Sequence, residues 1–212
     1  AVYMLYRLYV QLFDLEQRWN VLIIVIMIIS MMIGAFGGLA ENSIRRVLGY
    51  QMLNGMPFIL VMLAFTSDDP RRALAAGIMY TIHHMLTVGS LILASGAIEE
   101  TYGTGLLSKL SGLARRDPII AWIFAAGAFS VVGFPPFSGM WGKLMIVFEV
   151  ARVGGAWAWI AIAAIIIASF AAFLAMLRVW RKVFWGKGLP EDKVPDELVI
   201  RKKLMAPSAA LI

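Results

Sequence analysis

The feature that most constrains this chain is a series of apolar runs, each about as long as the hydrocarbon core of a bilayer is thick. A helix crosses that core with about 20 apolar residues, because it rises about 1.5 Å per residue. Runs of this kind predict membrane spans at 1–13, 19–40, 47–65, 73–98, 119–153 and 156–177. The 19–40 run is almost unbroken Ile, Val, Met and Leu, and it closes on Gly34, Gly37 and Gly38, small residues that let helices approach closely. The 119–153 run is too long for one straight crossing. It carries Gly133, Pro135, Pro136, Ser138, Gly139 and Gly142 in its middle, and these predict a helix interrupted near 133–142. Long continuous apolar runs do not alternate inward and outward, so a β-barrel is disfavoured. The fold class that follows is an all-α, polytopic membrane helix bundle with a discontinuous helix.

Composition agrees with this. Apolar residues make up 61% of the 212, charged residues 15%, and mean hydropathy is +0.81, beyond what a soluble domain could keep hydrated. A net charge of +6 would suggest nucleic acid in a soluble protein, but here the cations stand between apolar runs and act as topology signals; no nucleic-acid partner is expected. Arg45, Arg46, Lys109, Arg115, Arg116 and the cluster from Arg181 to Lys203 fall on one side, against Arg18, Arg71, Arg72 and Arg152 on the other. The richer side, including the loop 178–203, is therefore predicted to be cytoplasmic. Cysteine is absent, which excludes thiolate metal sites and cysteine nucleophiles. The chain opens at Ala1 within an apolar stretch and stops at the apolar Ile212, so both ends read as cuts through helices of a longer polypeptide. The mixed stretch from Tyr102 to Leu113 is expected to lie along the interface.

Three groups of residues are placed where side chains carry chemistry. Lys143 follows the proline and glycine break and precedes an apolar stretch. An unpaired ammonium in lipid costs several kcal/mol, so a lysine there finds oxygen partners or becomes easy to discharge, and such a group takes and releases protons. Against this stands the simpler possibility that it snorkels to the interface from a helix end. His83 and His84 lie in the 73–98 run with Tyr80, Thr87 and Ser90 at helical spacings, a polar stripe able to hold a water wire or to serve only as interhelical glue. A metal site is not expected, because adjacent histidines point to different helix faces. Arg45, at the entry to the 47–65 run, is a permanent charge that biases neighbours or anchors the helix, and Gln51 and Asn54 share a face beyond it. Asp68, Asp69, Glu99 and Glu100 read as solvated loop carboxylates, and Glu149 is not at a same-face spacing from Lys143. No phosphate-binding loop, hydrolase elbow or paired catalytic carboxylates are present, so no catalytic residues and no cofactors are assigned.

The run Gly133, Phe134, Pro135, Pro136, Phe137, Ser138, Gly139, Met140, Trp141, Gly142, Lys143 resembles the broken-helix motif of the antiporter-like membrane subunits shared by respiratory complex I, membrane-bound hydrogenases and Mrp-type cation/proton antiporters. Ser43 to Tyr50, His83 to Leu86 and the exit Arg178 to Gly186 agree with it in the same order, and the whole looks most like the D-type subunit of the Mrp antiporters. That resemblance implies a larger subunit of about fourteen helices with two inverted half-channels, of which this chain is the C-terminal part. It implies that Lys143 is the lysine of the second broken helix and that His84 belongs to the central proton-conducting axis. Arg45 stands where relatives often carry lysine, and Val88 where many of the D type do. The implied function is monovalent cation (Na⁺ or K⁺)/proton antiport within a hetero-oligomer of A, B, C, E, F and G type subunits, in a prokaryotic cytoplasmic membrane. The rival is a redox-coupled proton-translocating subunit of a complex I-like oxidoreductase or hydrogenase. Within the antiport reading, His84→Ala is expected to impair exchange more than His83→Ala.

Overall fold

A computed structural model describes residues 2–12, 17–67, 69–186 and 198–212, with no strand among them beyond a single bridge between Ser43 and Leu106. The helices are α1 (Val2–Leu12), α2 (Gln17–Ala40), α3 (Ile44–Leu60), α4 (Pro70–Tyr102), α5 (Leu113–Arg116), α6 (Pro118–Val132), α7 (Ser138–Val153), α8 (Gly155–Val179) and α9 (Lys202–Leu211). Four segments are long and apolar enough to cross a membrane, namely Trp19–Ala40, Ile44–Phe65, Pro70–Tyr102 and Gly155–Phe184.

Local chemistry sets where these helices start and stop. The helix expected at 73–98 runs instead from Pro70 to Tyr102. Proline at the first helical position loses no hydrogen bond, and Asp69 caps the start by accepting from the Arg71 amide at 3.0 Å. Glu99 and Glu100 are good helix formers and extend the far end, so they stand in the last turns of α4 and not in a loop. Pro57 remains inside α3, whose continuation at Val61–Phe65 tightens into a 3₁₀ turn. At its other end the entry to α3 is pinned by the loop after α4, as Ile44 donates to Gly105 at 2.9 Å and Leu107 to Asn42 at 2.8 Å. The stretch 103–112 is thus largely irregular backbone tucked against α3.

Packing follows from side-chain size. In hydrocarbon the apolar effect gives little drive for helix to meet helix, so close approach and interhelical hydrogen bonds carry the association. On α8 the buried face is a file of alanines, Ala158, Ala161, Ala168, Ala172 and Ala175, and Gly34 of α2 lies against the backbone of Asn54 in α3. Arg178 ties α8 to the end of α2 by donating to the carbonyls of Leu39 and Glu41 and to Asn42 Oδ1. The opposite stripe of α2, with Leu22, Ile26, Ile29, Ile33 and Phe36 at spacings of three and four, is exposed, as a lipid-facing surface would be. Helix α4 crosses the middle of the bundle, with α3, α6, α7 and α9 packed around it. Two apolar cores flank it, one around Phe58, Met62 and Ile146 and the other around Leu91, Phe124 and Phe184.

Within the expected loop 178–203, residues 178–179 complete α8 and Trp180–Phe184 form a π turn. Residues 187–197 lie outside the described residues, as do Asp14, Glu16 and Asp68. Beyond them the chain is held by Asp117, a buried carboxylate that accepts from the Ile200 amide at 3.0 Å and from the Tyr102 hydroxyl.

Candidate functional site

The site forms where the 119–153 run breaks. Helix α6 ends at Val132 because Gly133 takes a left-handed φ of +93°, which a side-chain-bearing residue rarely adopts, and the two prolines that follow cannot continue a helix. An α-helix ends with four carbonyls that have no partner inside it. Here all four are accounted for. The Gly133 amide lies 3.1 Å from both the Phe129 and Ser130 carbonyls, and the Phe134 amide 2.9 Å from Phe129, the hydrogen bonding of a glycine-terminated helix end. The remaining two, Val131 and Val132, accept from Lys143 Nζ at 3.1 and 2.7 Å.

Lys143 reaches them because α7 restarts at Ser138 and runs beside α4 and α8, which puts residue 143 just over one turn into the helix and over the end of α6. Its third donor goes to Ser169 Oγ on α8 at 3.1 Å, and the Phe58 ring centroid lies 5.2 Å from Nζ, within cation–π range. The side chain is 9% exposed, so it does not snorkel. An ammonium has three N–H donors, and here each meets a neutral oxygen. The negative end of the α6 dipole lies at the same place, so the charge is stabilised by backbone instead of by a carboxylate. Glu149, the nearest carboxylate in sequence, pairs with Arg152 at 3.5 Å.

On the other side of the break lies a cluster of hydroxyls. His83 Nδ1 is 2.8 Å from Ser138 Oγ and 3.2 Å from Thr87 Oγ1, while Ser130 Oγ stands 3.4 Å from Ser138 and 3.5 Å from Thr87. Gly139 makes the approach possible, because a Cβ there would meet the Ser130 carbonyl and His83 Nε2. His84 turns to α3, where its Nε2 is 3.3 Å from the Met52 carbonyl and its ring lies against Gly55. Tyr80 joins the groups, with its ring 5.5 Å from His83, 5.8 Å from His84 and 5.6 Å from Phe58, and its edge against Gly142. Lys143 is thus linked toward the histidines through the Phe58 and Tyr80 rings and through the break itself, not by an unbroken row of hydrogen bonds.

The structure brings together Lys143, His83, His84, Tyr80, Thr87, Ser138, Gly133, Gly139 and Gly142, with Pro135 and Pro136, joined by a cis peptide bond, forming the turn between α6 and α7. Asn54 and Gln51 are buried on α3, and among the described residues Asn54 Oδ1, both polar atoms of the Gln51 amide, His83 Nε2 and His84 Nδ1 have no hydrogen-bond partner. Two residues counted as supporting the polar path lie elsewhere. Arg45 is exposed and pairs with Glu99 at 2.6 Å, and Ser90 donates to the Ser208 carbonyl of α9 at 2.7 Å. Both depart from the expectation because chain-local spacing fixes a helix face but not the element opposite it. Sequence reasoning passed over Ser130, Ser169 and Phe58. The signal for Ser169 was present, since between Gly155 and Leu177 no other side chain is a hydroxyl, an amide or an ionisable group. Among the described residues no cluster of His, Asp and Glu could hold a metal ion.

Long apolar helices surrounding one broken span, with a buried lysine at the break, define a multi-pass helical membrane protein. The chain belongs to the NADH:quinone oxidoreductase/Mrp antiporter transmembrane family, which it matches over residues 1–173. It is 30% identical over 201 residues to the N-type subunit of NADH-quinone oxidoreductase from Hydrogenovibrio crunogenus, covering 94% of this chain and 40% of that protein. It is also 30% identical over 160 residues to the D-type subunit of the Na⁺/H⁺ antiporter from Bacillus subtilis, covering 75% of this chain and 31% of that one. Its fold matches a chain of the Mrp complex from Dietzia sp. DQ12-45-1b with a TM-score of 0.89 and 31% identity, over 99% of this chain and 46% of the other. The chain therefore spans less than half the length of each.

Proposed function

We propose that this chain is the C-terminal part of a D-type subunit of a multisubunit monovalent cation (Na⁺ or K⁺)/proton antiporter, and that Lys143 carries the translocated proton. The observation behind this reading is a buried ammonium held only by neutral oxygens at the end of a half-helix. A carboxylate partner would lock the charge in place, whereas carbonyl and hydroxyl partners hold it without pinning it. Protonation of Lys143 alternates with that of the His83–His84 region, through the Ser138, Ser130 and Thr87 hydroxyls and through water at the buried atoms of Gln51, Asn54 and the histidines that have no protein partner. In this reading residues 1–212 form one membrane domain in a prokaryotic inner membrane, the basic side and the segment 178–203 face the cytoplasm, and A, B, C, E, F and G type subunits complete the complex.

The test is exchange in everted vesicles carrying the full-length protein in its complex. Lys143→Ala is expected to abolish cation-driven discharge of the proton gradient while the complex still assembles; near-normal exchange in that variant would refute the role. The 30% identity to an N-type subunit, over almost the whole chain, favours a second reading as the proton-translocating subunit of a quinone oxidoreductase or related hydrogenase. Co-purification with peripheral iron–sulfur proteins would select it.

A further inference from the structure

We propose that Ser169 is the positioning residue for Lys143, the one partner able to follow the lysine through both of its protonation states. The inference rests on the reading of Lys143 as a proton carrier and adds a residue on a different helix. Three oxygens surround Nζ, and they are not equivalent. The Val131 and Val132 carbonyls at 3.1 and 2.7 Å only accept hydrogen bonds, so they serve the ammonium. Once Lys143 has given up its proton, the amine keeps two N–H donors and gains a lone pair that needs a donor. A carbonyl has none to give.

Ser169 Oγ, 3.1 Å from Nζ, accepts from the ammonium and, after a turn of its O–H, donates to the amine. The proton count balances in both directions: Lys143 loses or gains one proton, and Ser169 keeps its own and only reverses the bond. The Phe58 ring face, 5.2 Å away on α3, can stabilise a cation but offers nothing to the amine's lone pair. Among the described residues no other side chain hydrogen-bonds Nζ. On α4, Tyr80 packs on Gly142 with His83 and His84 beyond it, where His83 Nδ1 meets Ser138 and Thr87 and His84 Nε2 meets the Met52 carbonyl, and on α7 itself Glu149 pairs with Arg152. Helix α6 contributes no ionisable side chain between Pro118 and Val132, and α8 none between Gly155 and Leu177. A single hydroxyl among the apolar residues 155–177 of α8, bonded to the buried lysine, would serve proton release by lowering the cost of the neutral state without moving a helix.

The experiment compares Ser169→Ala and Ser169→Thr with wild type and Lys143→Ala, in the full-length subunit within its complex, in everted vesicles, across a pH series with Na⁺ or K⁺ as the probe. Ser169→Ala is expected to lower maximal exchange by about tenfold or more, the order of one lost hydrogen bond to a charged group. Its half-saturating cation concentration should stay within about twofold, and its pH–activity curve should move by about half a unit or more. Ser169→Thr, which keeps the hydroxyl, should restore both rate and pH profile. Wild-type exchange and pH dependence in Ser169→Ala would overturn the proposal, and so would a Ser169→Thr variant that assembles but is as impaired as alanine, because packing and not the hydroxyl would then be at stake. If Lys143→Ala also retains exchange, the reading of the lysine has failed; if only Ser169→Ala does, that reading stands and the role of Ser169 falls.

Discussion

His83 and Ser138, 55 residues apart in sequence, meet at 2.8 Å between Nδ1 and Oγ, so the central helix α4 is fastened to the first residue of α7. Thr87 and Ser130 stand beside that bond and complete a hydroxyl cluster on the side of the break away from Lys143. The two neighbouring histidines therefore have different surroundings.

That difference supports a prediction opposite to the one the resemblance carries. Resemblance to the family places the weight on His84, but the hydrogen bonds tie His83 to the break, while His84 has only a 3.3 Å contact to the Met52 carbonyl and stacking on Tyr80. Under the proposed antiport function, His83→Ala is expected to lower exchange in vesicles by about tenfold or more, and His84→Ala by less. Equal rates for the two variants would remove the hydroxyl cluster from the proton route.

Gly139 gives a test of packing. A Cβ there would drive into the Ser130 carbonyl, which belongs to backbone and cannot turn aside, and into the His83 ring. Gly139→Ala should cost about 1–3 kcal/mol or more and should separate α7 from the end of α6. Gly49, in α3, has no atom within 4 Å of its would-be Cβ, and Gly49→Ala should gain about 0.5–1 kcal/mol from helix propensity alone. Thermal unfolding of the purified protein in detergent reads both, and the two shifts should have opposite sign.

Asp117 fastens the segment that ends the described chain. Its carboxylate is buried and accepts from Tyr102 and from the Ile200 amide. Asp117→Ala leaves the buried Ile200 amide without this partner, at a cost of about 1–3 kcal/mol, whereas Tyr102→Phe removes the part-buried hydroxyl and leaves the Ile200 bond intact. Amide hydrogen exchange at Ile200 should accelerate strongly in Asp117→Ala and little in Tyr102→Phe. Unchanged protection in Asp117→Ala would mean that the segment is held by the packing of α9 on α4, the Ser90 bond to Ser208 and Arg116, whose Nε donates to the Leu198 carbonyl at 3.1 Å.

Much of the helix plan was legible because it depends on local terms. Hydropathy over about 20 residues marks a span, and proline with glycine marks a break near 133–142, which the structure narrows to 133–137, since each acts through its own backbone. The 73–98 run shows the limit of that reading. Hydropathy falls off at Glu99 and Glu100, but helix formation does not, so α4 continues to Tyr102. Arg45 shows another, because nothing near it in sequence reveals that Glu99, more than 50 residues on, would neutralise it at the surface.

By itself, then, the sequence determined that this is a multi-pass helical protein with one interrupted span, and that Lys143 sits next to the interruption. Only tertiary structure decided what the lysine touches. Its three oxygens come from α6 and α8, and the packing that delivers them depends on glycines and alanines whose spacing allows many helix pairings and specifies none. Burial of a charge is a property of one segment, but its solvation is a property of the segments around it, and that is why the position of the site could be read along the chain while its hydrogen bonds could not.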